Sequence, residues 1–247
     1  MSKGHVLVTR PAGQADWLCR RLQELGYQVS HRPVLSIEPL PLSDTGRSLL
    51  MDLDQFHAVF VVSSNAARLA VDALADYWPQ WPVGVHWIAV GDATAACLSQ
   101  AGLQPWLPDA GFNSEAVLAL PPLQDVADKR VLVLRGDKGR ELFADTLRQR
   151  GARVDMVPLY RRDCDTGFSW PQEKVDTLLV TSLQSWQCLL QYAIPPGEVS
   201  VLAGSERIAV AVREAGYQRV RVAASPRDED MLATLVAAEK NHQEDQA

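Results

Sequence analysis

Seven hydroxyl-bearing residues, Thr9, Ser63, Ser64, Thr94, Thr181, Ser182 and Ser205, stand where a short apolar run gives way to a segment of helical spacing. At such a strand-to-helix turn a hydroxyl either caps the N–H groups of its own helix or holds a ligand oxygen, and residue type alone does not separate these uses. Unpaired N–H groups at helix N-termini add to the attraction for anions. Arg10, Arg135, Lys138 and Arg140 follow two of the apolar runs. A cation there binds a carboxylate, each charge-assisted contact contributing about 1.5–3 kcal/mol, or simply stays solvated. Arg161, Arg162 and Arg207 are read first as solvated surface groups. Tyr160 stands apart, because an internal repeat of the chain has Leu35 at the same phase. A phenol thus replaces an apolar side chain, and a phenol keeps a proton to donate at neutral pH. The same tyrosine could equally pack as a structural aromatic.

Several chemistries lack their residues. No Ser-His-Asp order, P-loop or Gly-x-Gly-x-x-Gly following a strand is present, which leaves hydrolase, NTPase and dinucleotide readings unsupported. The histidines 5, 31, 57, 86 and 242 are scattered, with no His-x-x-x-His pair, so no metal is expected. Cys19, Cys97, Cys164 and Cys188 are far apart and form no Cys-x-x-Cys, so neither a zinc ribbon nor a disulfide framework is expected and a reducing cytoplasm fits. The net charge of -6 gives no general pull toward nucleic acid or an anionic membrane, so an anionic ligand must be held by local groups. The N-terminal apolar run is only three residues, too short for a signal-peptide core.

The elements that must position these residues come in two copies. Val6-Leu7-Val8-Thr9-Arg10 reappears as Val131-Leu132-Val133-Leu134-Arg135. The same offset of 125 residues pairs Leu22 with Leu147, Gly26 with Gly151, Val29 with Val154 and Pro33 with Pro158. Each copy reads as a buried strand, a helix stopped by glycine, and a second strand. Strands are then expected at 58–62 and 176–180, opening helices at Ser63-Ser64 and Thr181-Ser182. Strands at 87–90 and 201–203 lead into helices ended by Gly102 and Gly216. A last helix closes each half, at 114–120 with Asn113 or Ser114 as cap, and at 228–239, whose Asp-Glu-Asp start suits a helix N-terminus. Such alternation implies parallel sheets with helices on both faces. With 47% hydrophobic and 22% charged residues there is enough apolar material for ordinary cores, which argues against wholesale disorder. The segments 32–42 and 158–167 read as paired, extended, proline-marked linkers. The chain then either divides contiguously near Asp125 or passes from one lobe to the other and back, and periodicity does not choose. The tail from 240 to 247 reads as frayed.

Val-Leu-Val-Thr-Arg-Pro at 6–11, Val-Gly-Asp-Ala-Thr-Ala at 90–95, Leu-Arg-Gly-Asp-Lys-Gly-Arg-Glu-Leu at 134–142, Val-Pro-Leu-Tyr at 157–160, Val-Thr-Ser at 180–182 and Ser-Glu-Arg-Ile at 205–208 together resemble the uroporphyrinogen-III synthases. The resemblance implies an α/β fold of two similar lobes, each a parallel sheet flanked by helices, joined by a two-stranded connector. Residues 1–38 and 163–247 would form one lobe and 42–160 the other. It implies a cofactor-free cyclisation of hydroxymethylbilane to uroporphyrinogen III in a cleft between the lobes, with inversion of the terminal pyrrole ring and loss of water. Tyr160 matches the family's site tyrosine, and Ser64, Thr94 and Thr181 or Ser182 match other positions of the family's cleft. The candidate catalytic residue is therefore Tyr160. The candidate substrate-binding residues are Thr9, Arg10, Ser63, Ser64, Thr94, Arg135, Gly136, Thr181, Ser182 and Ser205. The last motif departs from relatives that carry a threonine there, which leaves Arg207 without a role. The expected partners are the tetrapyrrole and, transiently, the enzyme that makes the bilane, for a cytoplasmic monomer that binds neither nucleic acid nor membrane. The rival reading is a noncatalytic two-lobed domain that binds or senses a small anion.

Overall fold

The structure, a computed structural model, describes residues 3–109, 114–139, 141–192, 194 and 197–244. Side chains beyond residue 237 lie outside that description, as do Asn113 and Arg140. In chain order the elements are β1 (His5–Val8), α1 (Asp16–Glu24), β2 (Gln28–His31), β3 (Leu35–Pro39), α2 (Asp44–Met51), β4 (Ala58–Val61), α3 (Ser64–Ala75), β5 (His86–Ala89), α4 (Asp92–Gln100) and α5 (Ser114–Leu118). They continue with β6 (Arg130–Gly136), α6 (Leu142–Gln149), β7 (Arg153–Cys164), β8 (Thr177–Val180), α7 (Leu183–Leu189), β9 (Ser200–Ala203), α8 (Glu206–Glu214), β10 (Val220–Val222) and α9 (Asp228–Glu244). The last helix runs beyond residue 239, so the segment 240–244 expected to fray is helical. The segments expected as extended linkers contain β3 and the second part of β7.

The chain divides into two compact units, Met1–Ser36 with Asp163–Ala247, and Ile37–Arg162. In the first unit the strand order is β10-β9-β8-β1-β2, all parallel. In the second it is β3-β7-β6-β4-β5, with β7, β6, β4 and β5 parallel. The order β9-β8-β1-β2 matches β5-β4-β6-β7 when repeat-related strands are equated. Each unit thus takes one β-α-β segment from each half of the sequence: β1 pairs with β8, and β6 with β4.

Both central strands of each sheet are buried beyond their first residue, which requires cover on both faces. Alternation along the strand supplies it. Leu7 packs toward α7 and α8, among Trp186, Ile208 and Val212, while Val6 and Val8 pack toward α1 and α9, among Leu18, Leu22 and Met231. The repeat preserves the phase: Leu132 faces Ala66, Leu74 and Leu98 of α3 and α4, and Val131 and Val133 face Val117, Phe143 and Leu147 of α5 and α6. Each fully buried leucine or valine contributes about 1.5–3 kcal/mol, enough to fix which face is which. Gly26 and Gly151, at φ 90° and 87°, end α1 and α6 in the left-handed conformation that the absence of a Cβ permits.

One long-range link was not expected from the sequence. Cys164, at the end of β7, and Cys188, in α7, form a disulfide across 24 residues, with Cα atoms 5.4 Å apart. The spacing hides the pair because β8 lies between them in sequence, while the sheet brings the start of unit one's return segment against α7. Among the described residues no helix is long and apolar enough to cross a membrane.

Candidate functional site

In an open parallel sheet the crevice for a ligand lies beyond the carboxyl ends of the strands, where the crossovers leave to opposite faces. In the second unit that point falls between β6, whose crossover α6 covers one face, and β4, whose crossover α3 covers the other. Ser63 follows β4 as the N-cap of α3, and its Oγ accepts the Ala66 N–H at 3.1 Å. Gly136 ends β6.

Tyr160 reaches this point from β7 through an irregularity. Arg135 pairs with Pro158 but Gly136 pairs with Tyr160, so Leu159 is skipped and the strand bulges. A bulge re-aims the next side chain, and Val157, Leu159 and Tyr160 all end in the same apolar cluster instead of alternating between faces. Tyr160 is only 3% exposed. Its ring lies against the Gly136 backbone so closely that a Cβ there would stand 3.1 Å from Cε2 and Cζ. The phenol oxygen is 2.9 Å from Ser63 Oγ and accepts an N–H from Arg162 Nη2 at 3.3 Å. Arg162, expected as a solvated surface group, is instead half-buried and bonded to this phenol. The usable signal was its place two residues beyond Tyr160 on a strand, where side chains share a face.

Of the remaining candidates in this unit, Ser64 is half-buried in the first turn of α3, and Thr94 is buried in the first turn of α4. Arg135 is 8% exposed and committed within the chain, with Nη1 2.9 Å from Glu141 Oε1 and Nε donating to the Gly136 carbonyl at 3.2 Å. Lys138 is exposed.

The first unit has its own such point, between β1 and β8. Thr9 is buried there, and its Oγ1 donates to the Leu179 carbonyl at 2.9 Å, tying the two strands together. Arg10 pairs with Asp228 at 2.9 Å and also donates to the Pro226 carbonyl. Burial pushes the Asp228 carboxyl above its ordinary range, with Arg10 opposing and Glu229 reinforcing that shift. Ser182 caps α7, accepting the Ser185 N–H at 3.0 Å, with its Oγ 2.8 Å from Ser185 Oγ. Thr181 is half-buried beside it, and Ser205 occupies the N-cap of α8 without a side-chain capping bond. Arg207 is exposed on α8. The candidates therefore fall into two groups at strand ends, Ser63, Ser64, Thr94, Arg135, Gly136 and Tyr160 in one unit, and Thr9, Arg10, Thr181, Ser182 and Ser205 in the other. Among the described residues no group of three or more His, Cys, Asp or Glu side chains comes together in a way that could hold a metal.

A sequence model of the family described as Uroporphyrinogen-III synthase HemD matches residues 16–233. The uroporphyrinogen-III synthase of Escherichia coli (strain K12) is 32% identical over 243 residues, covering 93% of this chain and 99% of that protein. The Proteus mirabilis protein of the same name is 36% identical over 158 residues, covering 64% and 79%. A crystal structure of a mutant uroporphyrinogen III synthase from Thermus thermophilus matches with a TM-score of 0.62 at 21% identity, covering 96% of this chain and 99% of that one. The Helicobacter pylori uroporphyrinogen-III synthetase matches with the same TM-score at 17% identity, covering 96% and 100%. At these identities the two structures speak to the fold.

Proposed function

The chain belongs to the uroporphyrinogen-III synthase family, and we propose that it handles its substrate at the carboxyl ends of β4, β5, β6 and β7, around Tyr160. Members cyclise the linear tetrapyrrole hydroxymethylbilane to uroporphyrinogen III, inverting the terminal pyrrole ring and losing water, and that is the activity of this chain. The rival reading, a noncatalytic anion binder, has no support in this family membership.

The observation that carries the site is the Tyr160 hydroxyl, 2.9 Å from Ser63 Oγ at the head of α3. Loss of the bilane's terminal hydroxyl as water needs a proton donor, and the hydrogen-bonded pair of hydroxyls on Tyr160 and Ser63 supplies one without a metal or cofactor. Gly136 lies against the Tyr160 ring, and Ser64 and Thr94 stand in the first turns of α3 and α4 of the same unit, offering hydroxyls, backbone N–H groups and a side-chain-free approach to substrate carboxylates. By the same chemistry Thr9, Arg10, Arg135, Thr181, Ser182 and Ser205 are substrate contacts, with Arg10 and Arg135 exchanging their own carboxylate partners for those of the substrate. The required energy is modest, because the bilane also closes unaided to the unflipped isomer. A 100-fold preference between closures corresponds to about 2.7 kcal/mol.

The same reading takes the chain as a cytoplasmic monomer that receives the short-lived bilane through brief contact with the enzyme that makes it. The Cys164–Cys188 bridge argues the other way on location, since a reducing compartment holds such a pair as thiols. The test is to supply hydroxymethylbilane and separate the products by chromatography. Isomer III is expected in large excess over isomer I; a mixture equal to the protein-free control would defeat the assignment.

A further inference from the structure

The hydrogen bonds around Tyr160 decide which hydroxyl keeps a proton to give away. Arg162 has only donors, so the 3.3 Å contact from its Nη2 makes the phenol oxygen an acceptor and leaves the phenol proton to be given elsewhere. Ser63 Oγ lies 2.9 Å away. That oxygen already accepts the Ala66 N–H, and with the phenol proton both of its acceptor positions are filled. The Ser63 hydroxyl then has one thing left to offer, its own proton. The reverse assignment, Ser63 donating to Tyr160, would leave the phenol proton without an acceptor among the described residues, on a side chain that is 3% exposed. Exposure agrees: Ser63 is half-buried, whereas Tyr160 is sealed between Gly136 and the apolar cluster of its unit.

We infer that Ser63 is the group that touches the substrate's departing hydroxyl, and that Tyr160 and Arg162 are positioning residues acting through it. This rests on the site reading given above. In the step, the Ser63 O–H bond breaks as its proton joins the departing oxygen, and the C–O bond breaks with its electron pair leaving on water. The electron-rich pyrrole compensates the carbon. Ser63 recovers a proton from Tyr160, whose phenolate the Arg162 guanidinium holds until solvent returns the proton through the Ser63 hydroxyl. A row of donors that begins at a cation polarises each member in turn, which is what a serine hydroxyl needs to act as an acid.

The test is a double-mutant cycle on turnover and isomer ratio with hydroxymethylbilane, using Ser63→Ala, Tyr160→Phe and the pair. If the groups act in series, each single change lowers kcat at least about ten-fold and the pair is no worse than the worse single, within about two-fold. Ser63→Thr restores most of kcat. Ser63→Asn, which keeps a capping oxygen for Ala66 but has no hydroxyl proton to transfer, does not, and this separates chemistry from helix capping. Wild-type kcat in Ser63→Ala or Ser63→Asn alongside an impaired Tyr160→Phe overturns the relay and leaves the site standing. Losses that multiply also overturn it. Wild-type kcat in both Ser63→Ala and Tyr160→Phe removes the site reading itself.

Discussion

The two units place a serine at corresponding points, after the strand at the sheet's switch point, and wire it differently. Ser63 in the second unit caps α3 and is bonded to a phenol arriving from β7. Ser182 in the first unit caps α7 and turns to Ser185 of its own helix. The position that would reach it from β2's side of the repeat is Leu35, 3% exposed in an apolar cluster. The arginines differ as well: Arg135 is held by nearby Glu141, Arg10 by distant Asp228. Duplication kept what the cores need, the phase of Val6-Leu7-Val8 and Val131-Leu132-Val133, and let the strand ends diverge. The strand ends border loops and helix N-termini, where side chains can change while the scaffold beneath them keeps its pattern, so they are the positions free to acquire chemistry. The first unit is stapled by a disulfide, and the second carries the polar cluster.

The largest expected effect tests the staple. Cys188→Ser should destabilise the first unit by about 3.5 kcal/mol, the chain-entropy value for a loop of this length. Thermal unfolding of the protein with and without reductant checks it, and a transition that does not move would mean that the two units do not differ in this way. Next comes Tyr160→Phe, which keeps the ring's packing and removes the bond to Ser63. Turnover should fall at least about ten-fold while the melting temperature stays nearly constant. A large stability loss with normal turnover would make this tyrosine as structural as Leu35. Gly136→Ala should be milder. Its Cβ, 3.1 Å from the Tyr160 ring, forces the ring to shift by a few tenths of an ångström. We expect a drop in kcat of roughly three- to ten-fold, measured with the same bilane assay.

The smallest effect is in pH dependence, where the units differ in sign. Burial, with His57 and Lys129 adding repulsion, holds the His86 imidazole of the second unit below its ordinary 6.5. The unfolded chain then binds more protons than the folded one just below that value, so stability is lost as pH falls through the window. Asp228 of the first unit is shifted above its ordinary 3.8, so the folded state holds the proton longer and stability declines as pH rises through the window above 3.8. His86→Gln should flatten the loss between about pH 7 and pH 5 in a melting series. An unchanged slope would assign that loss to other groups.

Much of the scaffold was legible because its signals are local. Apolar runs of strand length, helical spacing ended by Gly26 or Gly151, and serines at turns announce their elements within about ten residues. The substitution of Tyr160 for Leu35 was legible too, since the repeat supplied its own comparison. The commitment of Arg10 to Asp228 was not, because the partners are far apart in sequence. Nor was the bulge at Leu159, which depends on β6 and β7 lying side by side.

By itself the sequence determined the β-α-β grammar, the duplicated phase of the core strands and the residue types at their ends. Only the tertiary structure decided that β1 pairs with β8 and β6 with β4, that Cys164 meets Cys188, and that Arg162, Tyr160 and Ser63 form one chain of hydrogen bonds. The reason is that two copies of one strand pattern present the same apolar faces and the same backbone ladder. Either copy satisfies a neighbour locally, so the choice falls to connectivity and to the packing of the whole sheet.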